Sequence, residues 1–171
     1  MGMIWLLGAD EIDTSSIRNT FVVYQGHHGD VGAHCADVIL PGAAYTEKNG
    51  LYVNFEGRVQ EARRAIFPPG EAKDDWSIIR AFSGFIGHPL GFDNHDACRQ
   101  MLISHFPHFG EIGKIHKSRW KKIGRPGKIS DVPISPALKE YYMTCPISRS
   151  SETMAESRTS RENLGKPIAA E

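Results

Sequence analysis

Three short apolar runs, each followed directly by a glycine or a proline, constrain the fold most strongly: Met3–Leu7, residues 21–25 and residues 38–40. Their apolar residues are continuous rather than alternating, which is typical of strands in a parallel sheet covered on both faces. Between the runs, residues 13–18 predict a helical turn and residues 29–35 a short helix. Strand, helix, strand in this order predicts an α/β open sheet.

Three strands are few for a covered open sheet, which usually contains about four to six. An incomplete sheet leaves a free edge, and a free edge invites association with another chain. We therefore expect another polypeptide to supply the missing strands, so that this chain is one part of an assembly.

After residue 50 the pattern changes to an extended segment that ends at the Gly57-Arg58 bend. Asp74 or Asp75 then begins a helix, ended by residues 87–89, whose steps of one, three and four predict one buried face. Asp93 or Asn94 begins a second amphipathic helix that Pro107 stops. The predicted buried face of the first helix consists of Ile78, Ile79, Phe82, Phe85 and Ile86; that of the second consists of Cys98, Met101, Leu102 and His105.

The composition shifts near residue 110, where glycines and prolines begin to punctuate a polar stretch. We predict a partial α/β domain over residues 1–110, and over residues 111–171 an extended arm with short helical pieces and a polar tail rather than a second domain. The end, residues 148–171, is rich in Ser, Glu and Arg and is expected to fray unless a partner holds it.

Charge and hydropathy exclude several classes of protein. Lys and Arg number 20 and Asp and Glu number 20, so the chain lacks the concentrated positive charge of a nucleic-acid binder. No apolar run approaches the ~20 residues of a membrane helix, which argues against direct membrane insertion. Residues 1–10 have no basic region before their apolar stretch, and they lack the Arg-rich pattern of a transit peptide.

Cys35, Cys98 and Cys145 are far apart and form no CxxC pair. Such an odd, sparse set favours a reducing compartment over a disulfide framework. It also lacks the four thiolates typical of an iron–sulfur cluster, so we expect none in this chain. The nearby serines, at positions 148, 150 and 151, have no neighbouring histidine base and predict no nucleophile.

The sequence Gly26-His27-His28-Gly29-Asp30 is the most conspicuous local motif, and two interpretations remain open. The histidines are possible metal ligands, completed by His34 or Asp37, although neighbours on extended backbone point to opposite sides. Alternatively, the loop is a tight turn in which Asp30 caps the next helix. Its place after a strand also suits an anionic ligand, but the GxGxxG and GxxxxGK[ST] patterns are absent.

Asp37, Glu47 and Glu56 are the candidate general acids or bases, and nothing in their spacing pairs them. Arg58 lies beside Glu56 and predicts a local ion pair, and the Arg63-Arg64 pair predicts a charged surface or interface. Because no constellation has the geometry of an active site, we predict no catalytic, cofactor-binding or metal-ligating residue.

An ordered series of segments resembles the molybdopterin oxidoreductase superfamily, and most closely the C-terminal region of the large iron–sulfur subunit of respiratory complex I. The most specific part is ADVILPGAAYTEKNG at residues 36–50, followed by NFEGRVQ at 54–60. The segments YQGHHGD at 24–30, YMT at 142–144 and ISRSSETMA at 147–155 resemble the complex I branch in particular.

The resemblance implies an α/β scaffold domain in the peripheral arm of NADH:ubiquinone oxidoreductase. It implies that the flavin and the iron–sulfur clusters belong to partner chains, among them the N-terminal iron–sulfur fragment of the same subunit. The implied location is the matrix side of the mitochondrial inner membrane, or the cytoplasmic face of a bacterial membrane. The alternatives are a fragment that binds a molybdenum or tungsten pterin and a free-standing metal protein using His27, His28 and His34.

The chain departs from this family in its length, because the usual subunit is several times longer. The methionine at position 1, just before a strand, leads us to expect a subunit split between two genes rather than a processed fragment. In that case the partner fragment supplies the other strands, and burial of a shared apolar face, at ~25 cal/mol per Å², holds the two together.

Overall fold

The structure is a computed structural model of the 171-residue chain. It describes residues 2–17, 19–117, 121, 124–134 and 142–164. The chain divides into two compact units, Met1–Ser118 and Arg119–Glu171.

A three-stranded parallel sheet forms the centre of the first unit, in the order β1 (Met3–Leu7), β2 (Phe21–Gly26) and β3 (Val38–Pro41). The parallel α/β sheet predicted from the apolar runs is thereby confirmed. A 3-10 turn at Thr14–Ile17 and the short helix α1 (Val31–His34) connect the strands, as the capping residues predicted. Because β2 lies between two neighbours, it is the strand buried along most of its length.

The two faces of the sheet are covered by different elements. On one face, Leu6, Val22 and Tyr24 form the buried core, and Ala33 of α1 packs against it. On the other face, the Trp5 ring meets Phe82 edge to face, with the ring centroids 4.8 Å apart. This contact attaches the helix that contains Phe82 to the sheet.

The prediction that all three strands are covered on both faces is wrong for the outer strands. Leu7 on β1 is 54% exposed and Ile39 on β3 is 55% exposed. The reason is that each outer strand has a neighbour on one side only, so its apolar residues extend past the helices that cover the centre of the sheet.

A hairpin follows the sheet, made of β4 (Gly50–Val53) and β5 (Val59–Ala62), which pair antiparallel. The predicted extended segment is confirmed as far as Val53, but it turns at residues 54–57 rather than continuing extended to the Gly57-Arg58 bend, and β5 was missed. The turn is organised by Asn54, whose Oδ1 accepts hydrogen bonds from the backbone N–H groups of Glu56 and Arg58.

Two 11-residue helices complete the first unit: α2 (Asp75–Phe85) and α3 (His95–His105). The predicted cap of α3 is confirmed, since Asn94 Oδ1 accepts from the Ala97 N–H at 2.8 Å. The predicted buried face of α2 is wrong at its end: Phe85 is 91% exposed and Ile86 is also exposed. No described residue buries these two side chains, so the apolar face of α2 continues past the part of the helix that packs against the sheet.

The second unit contains α4 (Pro146–Arg149) and α5 (Glu152–Leu164). A helix of 13 residues was not predicted in the polar tail, because its sequence carries no apolar stripe. Local pairing supports it instead: Arg158 Nε lies 3.0 Å from Glu162 Oε1, one helical turn away. Residues 165–171 lie outside the described part. Among the described residues, no helix has the length and apolar character that crossing a bilayer requires.

Candidate interaction surface

Large apolar side chains are exposed at several places in the first unit. In β3, Val38 and Ile39 are exposed, and at the end of α2 Phe85 and Ile86 are exposed. The turn of the hairpin also presents Phe55 to solvent. Extended apolar patches are uncommon on the surface of a soluble monomer, and where they occur they mark interaction sites. These side chains are therefore the candidates for an interaction surface on the described part of the first unit.

A partly buried polar network attaches α2 to the sheet. Gln25 is 1% exposed, and its Nε2 donates to Asp75 Oδ1 at 2.8 Å. Trp5 Nε1 donates to Gln25 Oε1 at 3.2 Å, and Lys48 forms an ion pair with Asp75. Each of these groups is paired, and together they fix the N-terminus of α2 against the sheet.

A second network lies on the opposite face of β2. The carboxylate of Asp10 is buried and accepts from the Tyr24 hydroxyl and from the Gly32 N–H, each at 2.9 Å. It thereby ties the loop after β1 to both β2 and α1. Sequence reasoning did not single out Asp10 or Gln25, because a polar residue beside an apolar run does not reveal its partner.

A cavity of about 340 Å³ lies between the hairpin and the two helices, lined in part by Tyr52, Trp76 and Cys98. Trp76 Nε1 and Asp74 Oδ1 are buried and have no hydrogen-bond partner in the described ranges. Both residues are among those that line the cavity. Burial raises the pKa of the Cys98 thiol, so this cysteine remains protonated at neutral pH.

The His27-His28 loop lies at the carboxyl edge of the parallel sheet, beside a cavity of about 420 Å³. The two Nδ1 atoms are 2.7 Å apart, so one ring donates to the other. Burial is the main factor that lowers the pKa of His27, and the neighbouring His28 and Lys48 lower it further. This hydrogen bond uses the Nδ1 atom of each ring, and the two Nε2 atoms take no part in it.

The remaining candidate ligands do not join this loop. His34 Nδ1 contacts the Asp30 carbonyl at 3.0 Å, and Asp37 Oδ2 accepts from the Val22 N–H at 2.7 Å. Asp30 caps α1 through the Val31 N–H, as the turn interpretation predicted. Across the described ranges, no three His, Cys, Asp or Glu side chains converge closely enough to hold a metal ion.

The donor set around the 420 Å³ cavity does not fit the phosphate-bearing pterin that occurs in related molybdenum enzymes. Its wall includes two carboxylates, Glu47 and Glu71, and neither Lys nor Arg is among its lining residues. An anionic group bound there would face like charge, which costs free energy unless cations offset it. The Glu47 carboxylate already has a local partner in the segment that follows β3, where it accepts a hydrogen bond from the Ala44 backbone N–H at 2.9 Å.

The other candidate residues have local structural contacts. Glu56 pairs with Arg58 at 3.2 Å, and the Arg64 guanidinium lies 4.2 Å from the centroid of the exposed Phe67 ring. Cys35 Sγ donates to the Gly32 carbonyl at 3.2 Å.

In the second unit, the candidate thiol and hydroxyl groups also have neighbours of their own. Hydrogen bonding to Ser148 lowers the pKa of Cys145. Ser150 Oγ donates to the Pro146 carbonyl, and Ser151 Oγ accepts from the Met154 N–H. Residues 142–164, the described stretch around these serines, contain no histidine that could act as their base.

Comparison with known proteins identifies the family. Residues 1–85 match the model of molybdopterin oxidoreductases, and residues 116–157 match that of the C-terminal region of the G subunit of NADH-ubiquinone oxidoreductase. The chain belongs to the family of the complex I large iron–sulfur subunit. The resemblance stated from the sequence motifs is thereby confirmed.

Both bacterial and mitochondrial relatives match this large-subunit segment. The G subunit of NADH-quinone oxidoreductase from Rickettsia conorii is 42% identical, over 98% of this chain and 25% of the relative. The NADH-ubiquinone oxidoreductase 75 kDa subunit of Reclinomonas americana is 44% identical, over 90% of this chain and 23% of the relative. The mitochondrial 78 kDa subunit of Candida albicans is 47% identical, over 90% of this chain and 23% of the relative. The segment thus spans about a quarter of the length of these curated relatives.

Proposed function

We propose that this segment is a structural part of complex I that completes the C-terminal domain of the large iron–sulfur subunit. Two facts carry the proposal. The parallel sheet has only three strands in the described part of the chain, and its outer strands expose apolar side chains. The relatives of the chain are also about four times as long. Its partner is the N-terminal iron–sulfur part of the same subunit. The proposal holds whether that part is a separate polypeptide or is continuous with this segment.

In this role the segment packs and docks, and the electron transfer belongs to other chains. Electrons pass from NADH through flavin and iron–sulfur clusters in the partner chains to ubiquinone. This division is supported by the three cysteines, of which Cys35 and Cys145 hydrogen-bond within their own short helical segments and Cys98 lines the 340 Å³ cavity. We place the complex in the peripheral arm on the matrix side of the mitochondrial inner membrane, or on the cytoplasmic face of a bacterial membrane.

Co-expression tests the proposal. We expect the segment produced alone to aggregate, because its exposed apolar side chains have no cover, and to become soluble when produced with the remainder of the large subunit. Affinity purification through a tag on the segment should then recover the segment and the remainder of the large subunit in equal amounts. A soluble, monodisperse segment that ignores the remainder in the same experiment contradicts the proposal.

A substitution at the end of α2 separates docking from general solubility. Phe85→Asp should make the isolated segment more soluble and lower the recovery of the remainder, since a charge would have to be buried at the interface. Gln100→Glu is the matched control, because it adds negative charge at an exposed position of α3. Recovery of the remainder should stay unchanged in that control.

A pterin-binding enzyme fragment is the second candidate, favoured by the match of residues 1–85 to molybdopterin oxidoreductases. The carboxylate-lined cavity argues against it. Elemental analysis of the co-purified large subunit decides: we expect molybdenum and tungsten well below one atom per segment. A stoichiometric amount of either metal that is lost on replacing residues of the His27-His28 loop would establish the pterin function instead.

A further inference from the structure

The two outer strands of the parallel sheet differ in how their free edges are finished. On β3 the outer edge is closed at its carboxyl end, where Lys73 N–H donates to the Pro41 carbonyl at 3.1 Å and Ala43 N–H donates to the Lys73 carbonyl at 2.8 Å. Pro41 itself has no N–H to offer. A proline and a crossing segment are standard protection for an edge strand, so β3 is a poor site for strand addition.

The backbone register shows which groups of β1 face outward. Gly8 N–H donates to the Gln25 carbonyl at 2.8 Å and continues the register in which Met3 lies opposite Phe21. In a parallel pair, alternate residues bond to the same neighbour with both backbone groups. The residues in phase with Gly8 therefore face β2, and the N–H and C=O groups of Met3, Trp5 and Leu7 face the outer edge.

The outer edge of β1 has none of the protection found on β3. Its sequence, Met-Ile-Trp-Leu-Leu, contains neither a charge nor a proline. Within the described part of the chain, no strand lies beside this edge, and Met3 and Leu7 of the strand expose apolar surface. Such a strand has the character of an interior strand in a larger sheet.

We infer that the outer edge of β1 receives a further apolar β-strand from the remainder of the large subunit. The inference rests on the proposed function and specifies where docking begins. The remainder is the occupant because about three quarters of the relatives' length lies outside the match, and because backbone pairing is how an extended segment joins a free sheet edge. The exposed face of α2 then packs beside the enlarged sheet.

Hydrogen exchange at single-amide resolution on the co-purified large subunit tests the inference. The amides of Met3, Trp5 and Leu7 should exchange on the order of a hundredfold more slowly than unprotected amides. If the remainder co-purifies but these amides exchange freely, the strand inference is overturned and the proposed function stands. If the remainder does not co-purify with the wild-type segment, the proposed function itself fails.

Proline substitution provides an independent test. Leu7→Pro removes an outward N–H and should lower recovery of the remainder about tenfold, the loss expected for one interface hydrogen bond. Leu7→Ala retains the N–H and should behave nearly like the wild type. Ile39→Pro removes the equivalent group from the outer edge of β3, and it should lower recovery no more than Ile39→Ala, which removes the same apolar side chain but retains the N–H; a loss much larger for Ile39→Pro than for Ile39→Ala, with Leu7→Pro unaffected, would assign the added strand to β3.

Discussion

Asp10→Ala is expected to lower the free energy of unfolding of the first unit by about 3 kcal/mol. The Asp10 side chain is 6% exposed and accepts from the Tyr24 hydroxyl and the Gly32 N–H. Alanine would remove the acceptor that both donors share, and a buried donor that loses its acceptor costs about 1 to 3 kcal/mol. The effect is large because this one carboxylate joins the loop after β1 to both β2 and α1.

Pulse proteolysis in urea on the co-purified large subunit, detected through a tag on this segment, measures the effect. A loss of 3 kcal/mol corresponds to a midpoint about 1.5 M lower in urea. Tyr24→Phe removes one of the two hydrogen bonds and should cost about 1 kcal/mol, and Asp10→Asn, which retains an acceptor, should cost less than Asp10→Ala. Equal midpoints for wild type and Asp10→Ala would show that the network does not stabilise the unit.

Gly32→Ala is expected to destabilise the same unit by about 2 kcal/mol or more. A Cβ on Gly32 would lie 2.7 Å from the Ala9 carbonyl oxygen and 2.9 Å from both Asp10 Oδ1 and Tyr24 Cδ2. Backbone is the nearest neighbour, so the strain cannot be relieved by turning one flexible side chain. Helix α1 would have to move away from the sheet, and its hydrogen bond to Asp10 would lengthen.

Gly84→Ala is the matched control, a glycine-to-alanine change in another helix. There the added Cβ would meet only the end of Arg80, at 3.6 Å, which is ordinary contact. Alanine favours helix over glycine by roughly 0.5 to 1 kcal/mol, so this variant should be slightly more stable than the wild type. The two variants should therefore move the urea midpoint in opposite directions, and shifts of the same sign would contradict the packing argument.

Local chemistry explains why several elements could be predicted. The run Met3–Leu7 is long and apolar enough to identify a strand without its partners, and Asn94 before a periodic stretch identifies the start of α3. The motif at residues 36–50 identified the family for a similar reason, since its information is contained in adjacent residues. These features depend on neighbours in the sequence rather than on distant contacts.

Features that depend on distant contacts were missed or misassigned. Strand β5 has ordinary polar composition, and its pairing with β4 is needed to recognise it. The exposure of Phe85 could not be seen from helical periodicity, because periodicity identifies an apolar face but not what covers it. Helix α5 was missed for a different reason, since it forms from local polar pairing in a sequence that lacks an apolar stripe.

The order of apolar runs, caps and turns was sufficient for the strand-helix-strand pattern and for family membership, because these are set by residues within a few positions of each other. The partners of Asp10 and Gln25 are up to 50 positions away, and only folding brings them within hydrogen-bond distance. The same holds for the contrast between a closed edge on β3 and an open edge on β1. That contrast depends on where Lys73 crosses the sheet, and hydrogen-bonding geometry in three dimensions decides it.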